Sequence, residues 1–354
     1  NLNLFPNTIT WTKEKHLGSK IDTWTNINMS NTLDLDGDKG EITSLNTFNN
    51  EIYCFQKNAL SNILFNSRVQ IPTSDNVPIE ISNGTKVQGK RYISNSIGCN
   101  NKWSIAESPN GLYFIDNITN SIYLFNGQIN SLSDSLGFRH WVSKHTDTKP
   151  WNPKNFNNFR TYYDRNNNDV YFVNKDECLG YSEFLNKFTS FYSYEKVPTM
   201  FNINSDFYSL NYNGSNKLKL WKNFAGDYNM FYGEFQPFSI TIISNEHPTM
   251  NKIFNVVEYN GDMFDSNNNY LQDETFDYIK VFNEHQKGES NLKWVRGRPS
   301  NLSKRYRVWK ANIPRDNRNN LMRIRNTWAG IKLAKTKANK LKMKLNNIIV
   351  SYTI

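Results

Sequence analysis

Asp34, Asp36 and Asp38 put a carboxylate at every second residue of the run Asp34-Leu35-Asp36-Gly37-Asp38-Lys39-Gly40-Glu41, a spacing with which calcium loops gather oxygen ligands. The match is partial. A helix-loop-helix calcium site wants Gly at its sixth position and Glu at its twelfth, and here those places hold Lys39 and Leu45. A polar turn is the simpler reading. The five histidines, His16, His140, His145, His247 and His285, show neither paired cysteines nor H-E-x-x-H spacing, so no zinc site is expected. His140 and His145 flank Trp141 with Asp134 and Asp147 close by, a grouping that would permit acid–base work. Cys54, Cys99 and Cys178 are far apart and odd in number, which suits a reducing compartment and buried apolar thiols. The chain carries no G-x-S-x-G, no phosphate loop and no repeated Ser-x-Asp-x-Gly-x-Thr-Trp box, which weakens an enzyme reading. No catalytic residue is nominated.

Cations offer a second chemistry. Formal net charge is +10, and residues 284–344 hold about 18 Lys or Arg against about 3 acids, leaving the remainder at roughly −5. In Lys340-Leu341-Lys342-Met343-Lys344-Leu345 charged and apolar residues alternate, which puts every Lys on one side of a strand. Met322-Arg323-Ile324-Arg325 and Arg305-Tyr306-Arg307-Val308-Trp309 repeat the pattern. The candidate contact face is therefore Arg305, Arg307, Arg323, Arg325, Lys340, Lys342 and Lys344. Like charges on neighbouring strands repel, so such a face is either plainly solvated or meets something acidic: phosphates, a carboxylate-rich subunit or packaged protein. Trp294, Tyr306, Trp309 and Trp328 could stack on bases, although aromatic residues at period two in strands usually pack a core.

The elements that would carry these groups read as strands. Of 354 residues 38% are hydrophobic and 14% aromatic, too many rings for a disordered chain. Asn makes up roughly one residue in six, natural where many tight turns need left-handed backbone. Asn83-Gly84, Asn110-Gly111, Asn126-Gly127, Asn213-Gly214 and Asn260-Gly261 are dipeptides preferred in two-residue hairpin loops. Between them lie short aromatic and β-branched runs such as Ile52-Tyr53-Cys54-Phe55, Leu112-Tyr113-Phe114-Ile115, Val170-Tyr171-Phe172-Val173 and Phe207-Tyr208-Ser209-Leu210. The hairpins recur at irregular spacings near the length of a four-stranded propeller blade, roughly 40 to 50 residues. About four blades fit between Thr43 and Gly233, so a β-propeller, partial within this chain and completed by another piece, is expected. After Gly233 the strands lengthen, from Phe238-Ser239-Ile240 onward. The expected organisation is mainly β: an extended leading segment over 1–42, propeller blades over 43–235, and a basic β-sandwich-like domain over 236–354. The longest apolar run is too short for a membrane-crossing helix, which needs about 20 residues. Asn1 to Thr12 lack the marks of a secretory signal and there is no initiating Met, which fits either a boundary set by cloning or a fragment cut from a longer precursor.

Leu35-Asp36-Gly37-Asp38-Lys39-Gly40-Glu41, Val69-Gln70-Ile71-Pro72-Thr73-Ser74-Asp75, Lys102-Trp103-Ser104-Ile105 running into Gly111-Leu112-Tyr113-Phe114-Ile115-Asp116, and Ile313-Pro314-Arg315-Asp316 carry a resemblance that extends from about residue 34 to the C-terminus. They resemble the tail muzzle, or tail nozzle, proteins of crAss-like bacteriophages. The resemblance implies a propeller-bearing structural protein of the virion, assembled in the bacterial host cytoplasm into a ring at the tail tip, six-fold by analogy with the propeller hubs of other short-tailed phages. That ring would close or shape the exit channel used in genome ejection. It implies as partners other copies of the chain, other tail proteins, the N-terminal part of the same precursor, and packaged DNA or ejected cargo proteins. It implies no cofactor and no catalytic residues. The competing reading is a host-surface glycan-binding or glycan-cleaving tail protein, since exposed aromatics on a propeller rim bind sugars.

Overall fold

The computed structural model describes residues 4–13, 18, 20, 22–65, 69–71, 79–81, 87–146, 158–174, 176–192, 194, 197, 199–212, 217–298, 300–318, 321–337 and 340–354, with backbone alone for 69–71, 79–81 and 212. The chain is mainly β, and its contacts divide it into two units: residues 1–211 with 219–223, and residues 212–218 with 224–354. Among the described residues no helix is long and apolar enough to cross a membrane.

In the first unit four antiparallel sheets follow one another along the chain. The first joins Ile42–Phe48, Glu51–Gln56, Ala59–Phe65 and Val87–Ser94. The second joins Ala106–Ser108, Gly111–Asp116, Ser121–Phe125 and Ile129–Ser131. Arg160–Asp164, Asp169–Val173, Cys178–Ser182 and Lys187–Tyr192 make the third, and Thr199–Ile203, Asp206–Tyr212 and Leu218–Lys222 the fourth. Asparagine makes this zigzag possible. Among the described residues, eight of the fourteen non-glycine positions with positive φ are Asn, and a short side chain that can bond locally lowers the cost of that conformation. Phe48 pairs with Glu51, which leaves Asn49 and Asn50 as a two-residue loop with φ of 50° and 62°. Asp116 and Asp164 each accept a hydrogen bond from the amide two residues on, at 2.8 and 2.9 Å, and each loop reaches its next strand through an Asn with φ of 54°.

The Asn-Gly pairs divide. Asn126-Gly127 lies in the loop between the paired residues Phe125 and Ile129, and Pro109-Asn110 turns the chain so that Gly111 opens the next strand. Asn260-Gly261 is not a turn: it sits at an irregularity inside the long strand Lys252–Phe264. Asn83-Gly84 and Asn213-Gly214 lie outside the described residues.

Alternation along each strand sends side chains to two different neighbours. In the second sheet Leu112, Phe114, Tyr123 and Phe125 pack with Phe48, Tyr53, Phe55 and Leu60 of the first, and Phe55 meets Phe114 edge-on at 5.0 Å. Tyr113, Ile115 and Ile122 point the other way, into a cluster with Tyr163, Val170, Phe172, Leu179 and Tyr181 of the third. Tyr171 then leaves the opposite face of the third sheet to stack on Phe207 of the fourth at 5.8 Å. At the other end Ile9 and Leu33, from the paired strands Thr8–Thr10 and Thr32–Asp34, pack near Cys54 and Ile63 on the outer face of the first sheet. Each fully buried Leu, Ile or Phe contributes roughly 1.5–3 kcal/mol of transfer free energy, so the stack is held mainly by these shared faces. Polar clamps add to it: Ser108 Oγ of the second sheet donates to the buried carboxylate of Glu183 at 2.5 Å. The three cysteines are buried and joined by no disulfide, and burial pushes the Cys54 thiol up to about 12 and that of Cys99 to about 11.

The described residues of the second unit form two large sheets and a small two-stranded one, Met230–Phe231 with Glu234–Phe235. One of the large sheets orders Phe238–Ser244, Ala329–Lys335, Tyr278–Phe282 and Lys287–Asn291. In the other, Lys252–Phe264 is flanked along nearly its whole length by Lys342–Thr353 on one edge. Its second edge takes Arg325–Asn326, Val308–Asn312 and Tyr270–Leu271 in turn, with Leu302–Arg305 beyond. Their inner residues share one core, with Ile279, Val281, Ile331 and Leu333 against Phe254, Val257, Tyr259, Trp309 and Ala311.

Candidate contact face

Alternation makes the solvent face of the long-stranded sheet. In Lys342–Thr353 the side chains of Met343, Leu345, Ile348, Val350 and Tyr352 pack on the core, which leaves Lys342 and Lys344 outside. Lys344 lies opposite Asp262 and Lys342 opposite Phe264. Two strands over, Lys310 pairs with Glu258 at 2.9 Å, and in the strand beyond it Arg305 stands opposite Val308. Lys342, Lys344, Lys310 and Arg305 therefore share one face with Asp262 and Glu258. About 14 Å, three strand spacings, separates the strand of Lys344 from that of Arg305.

The seven cations expected to form one wall are not all brought together. Arg305-Tyr306-Arg307-Val308-Trp309 is not a single alternating strand: Arg305 pairs with Val308, so Tyr306, with φ of 56°, and Arg307 form the hairpin tip. Met322-Arg323-Ile324-Arg325 is also not a strand. Only Arg325 enters one, opposite Ile253, while the buried Ile324 anchors the segment through its carbonyl to the amide of Phe254. Ile253 and Asp262 are nine residues apart on an extended strand, so Arg323 and Arg325 sit about 30 Å from Lys344, at the opposite end. Lys340 precedes its strand with φ of 55° and pairs with Asp227 at 2.9 Å.

The other sheet carries a cationic face that the sequence reading missed. Lys280 and Lys332 occupy directly opposed positions on its two central strands, where Cβ atoms lie about 5 Å apart and like charges repel. Glu289 stands opposite Lys280 on the other side and pairs with Lys287 at 3.0 Å; the Lys287 contact, then the Tyr278 hydroxyl, hold its carboxyl below the usual range. The signal existed locally: Ile279-Lys280-Val281 and Ile331-Lys332-Leu333 each set one Lys between two core residues. A solitary cation in such a triplet gives no hint of its partner 52 residues away.

The aspartate run spends its oxygens on protein groups. Lys90 Nζ donates to Asp36 Oδ1 at 2.5 Å and to the Asp34 carbonyl at 2.9 Å, and Thr8 Oγ1 donates to Asp34 Oδ1 at 2.5 Å. An ammonium thus lies where a calcium ion would need these oxygens, and no group of three or more His, Cys, Asp or Glu able to hold a metal occurs among the described residues. The Lys90 hydrogen bond holds the Asp36 carboxyl below its ordinary value. A depressed carboxyl favours the fold above its unfolded pKa and loses that contribution as pH falls through the folded value. Lys90→Met is expected to move the Asp36 titration upward, back toward an isolated carboxyl; carboxyl chemical shifts followed against pH would check it, and an unmoved midpoint would contradict the assignment. Near His145, Glu177 rather than Asp134 is the acid: its Oε2 accepts the Trp141 indole at 2.6 Å and lies 3.8 Å from His145 Nε2. Asp147 lies outside the described residues.

Comparison with known proteins agrees with this organisation. A family model described as crassvirus muzzle protein matches residues 1–213, and one described as crassvirus muzzle protein C-terminal domain matches residues 226–316. A curated muzzle protein of Bacteroides phage crAss001 is 60% identical over 352 residues, which is 99% of this chain and 25% of the relative. The chain thus spans about a quarter of the length of the curated relative it matches. Bearing out the resemblance carried by Leu35–Glu41 and Gly111–Asp116, these matches over both units mean that the chain belongs to the crassvirus muzzle protein family.

Proposed function

We propose that this chain is structural material of a phage virion, assembling with copies of itself and with other tail proteins into a ring at the distal end of a short tail, where it closes or shapes the exit channel. In this reading the four serial meanders are blades of a propeller spanning 43–235, completed by another part of the muzzle polypeptide. Residues 1–42 lead into them, and 236–354 form a sandwich-like domain that presents cations to neighbours, packaged DNA or ejected cargo proteins. The observation that carries the reading is that both solvent faces of the second unit hold opposed or clustered cations, Lys342, Lys344 and Arg305 on one and Lys280 with Lys332 on the other, fixed on sheets rather than on loops. Rotational symmetry would repeat such a face around one axis and sum its potential inside a lumen.

The test is charge reversal. Lys342→Glu with Lys344→Glu changes only outward-facing residues, so the isolated chain is expected to fold normally. Phage carrying both changes are expected to give at least tenfold fewer infectious particles, with incomplete tails or lost contents visible by electron microscopy and by protein and DNA quantification. Particles of normal yield, shape and content would sink the proposal that this face makes contacts.

A further inference from the structure

The fourth sheet of the first unit breaks the series. Met200 and Phe207 are buried on its inner side, while Asn202 Nδ2 donates to the Tyr163 carbonyl of the third sheet at 2.7 Å. Its other side holds Phe201, Ile203, Tyr208, Leu210 and Leu220. Register supports this grouping: Phe201 pairs with Tyr208 and stacks on it at 6.1 Å, and Ile203 pairs with Asp206, whose carboxylate holds Lys222, two residues from Leu220, at 2.6 Å. Leu220 is 53% exposed and Ile203 47%. Among the described residues each of the other three sheets has apolar neighbours on both faces and four strands, whereas this one has three strands and an apolar face that is partly exposed, most at Leu220 and Ile203.

We infer that this face seats a further antiparallel β-meander of the muzzle polypeptide, one lying outside the part matched by this chain. Three arguments select that occupant. The face repeats the chemistry of the two central inter-sheet contacts, aromatic and branched residues alternating at period two, so it is complementary to the inner face of another such sheet. It continues an interface already repeated along the unit. The crAss001 relative keeps three quarters of its polypeptide beyond the matched part, ample chain for more meanders. A second copy of this chain fits less well, because the outer face of its first sheet already packs near Ile9 and Leu33. Leu220 and Ile203 are the central contacts of the docked state, with Lys222 and Asp206 at the rim. The inference rests on the serial-meander part of the proposed function and names the surface through which it continues.

A photoreactive benzophenone amino acid placed at Leu220 in phage particles, followed by mass spectrometry of the cross-linked peptides, tests it. The expected product joins residue 220 to a muzzle peptide outside the matched part whose apolar residues alternate. The same group at the exposed Asn130 is expected to give none of that product. Adding Ile203→Glu should cut its yield at least tenfold. Cross-links to a second copy of this chain, to its own residues 224–354 or to a different virion protein, or no cross-link at all, would overturn the inference. The product reports what covers this face whether or not the particles close a ring, so its outcome is separate from that of the charge reversal.

Discussion

Trp309→Ala is expected to cost the second unit about 3–5 kcal/mol, against the 5–15 kcal/mol that typically separates a folded domain from its unfolded chain. Trp309 heads the largest fully buried side chains and is 2% exposed. It meets Trp294 edge-on at 5.6 Å and lies under the Lys304 ammonium at 4.6 Å. Its strand partners are Tyr259 on one side and Lys304 on the other, so its loss opens a cavity where three strands of one sheet face the other. Arg305 and Lys310 flank this strand pair, and a loosened core would blur the cationic face as well. Because the two units form separate contact clusters, the loss should be local. Hydrogen exchange read by mass spectrometry should show faster exchange across 278–282, 302–312 and 329–335, with 111–125 unchanged. Trp309→Phe, which keeps a ring in the site, should lose less than half as much. An Ala variant with unaltered protection across 302–312 would mean that this residue does not organise the core.

What the sequence made legible was local. Leu112-Tyr113-Phe114-Ile115 announced a strand through its residue types, and the same alternation serves two neighbouring sheets at once. The abundance of Asn announced turns, and the Asn residues with positive φ are the physical reason. The failures come from long-range pairing. Asn260-Gly261 has hairpin chemistry, yet Lys342–Thr353 pins the strand along its edge and keeps it extended there. The bare Cα of Gly261 lets the Met343 side chain lie close across the strand pair: a Cβ there would come 2.5 Å from Met343 Cε, and that flexible side chain would have to swing aside. Tyr306-Arg307 has no turn signature and turns because Arg305 is held against Val308. The contact face suffered in the same way. Three basic segments with one local pattern end up at two ends of a strand, whereas Lys280 and Lys332, each alone in its segment, are set opposite one another by register. Lys90 reaching Asp36 across 54 residues is a third example, and it turns a metal-like run into an ion pair.

Gly98→Ala should disrupt the junction between the first and second sheets far more than its one added carbon suggests. After Val87–Ser94 the chain passes against the turn that joins Glu51–Gln56 to Ala59–Phe65, and the Cys99 amide donates to the Gln56 carbonyl at 3.0 Å. A Cβ at Gly98 would lie 2.3 Å from that carbonyl oxygen and 2.6 Å from the Ala59 amide nitrogen. Both are backbone atoms that no rotamer change can move. Relief requires the passing segment to lift away, which stretches the Cys99 bond and disturbs the buried Cys99, Phe55 and Phe114 packed behind it. Overpacking of this kind costs about 1–3 kcal/mol, and the fixed backbone on both sides puts this case at the upper end. Gly127→Ala supplies the contrast. Its φ of 102° is unfavourable for an L side chain, but nothing lies within 4 Å of the added carbon, so only backbone strain of about 1–2 kcal/mol is expected. Denaturant unfolding of both variants, with exchange at 52–63 and 111–125 as the local readout, separates the two mechanisms. Gly98→Ala should raise exchange in both sheets together, because the junction is common to them, and Gly127→Ala only around its own loop. Equal effects from the two substitutions would mean that the close approach at Gly98 does not hold the first two sheets together.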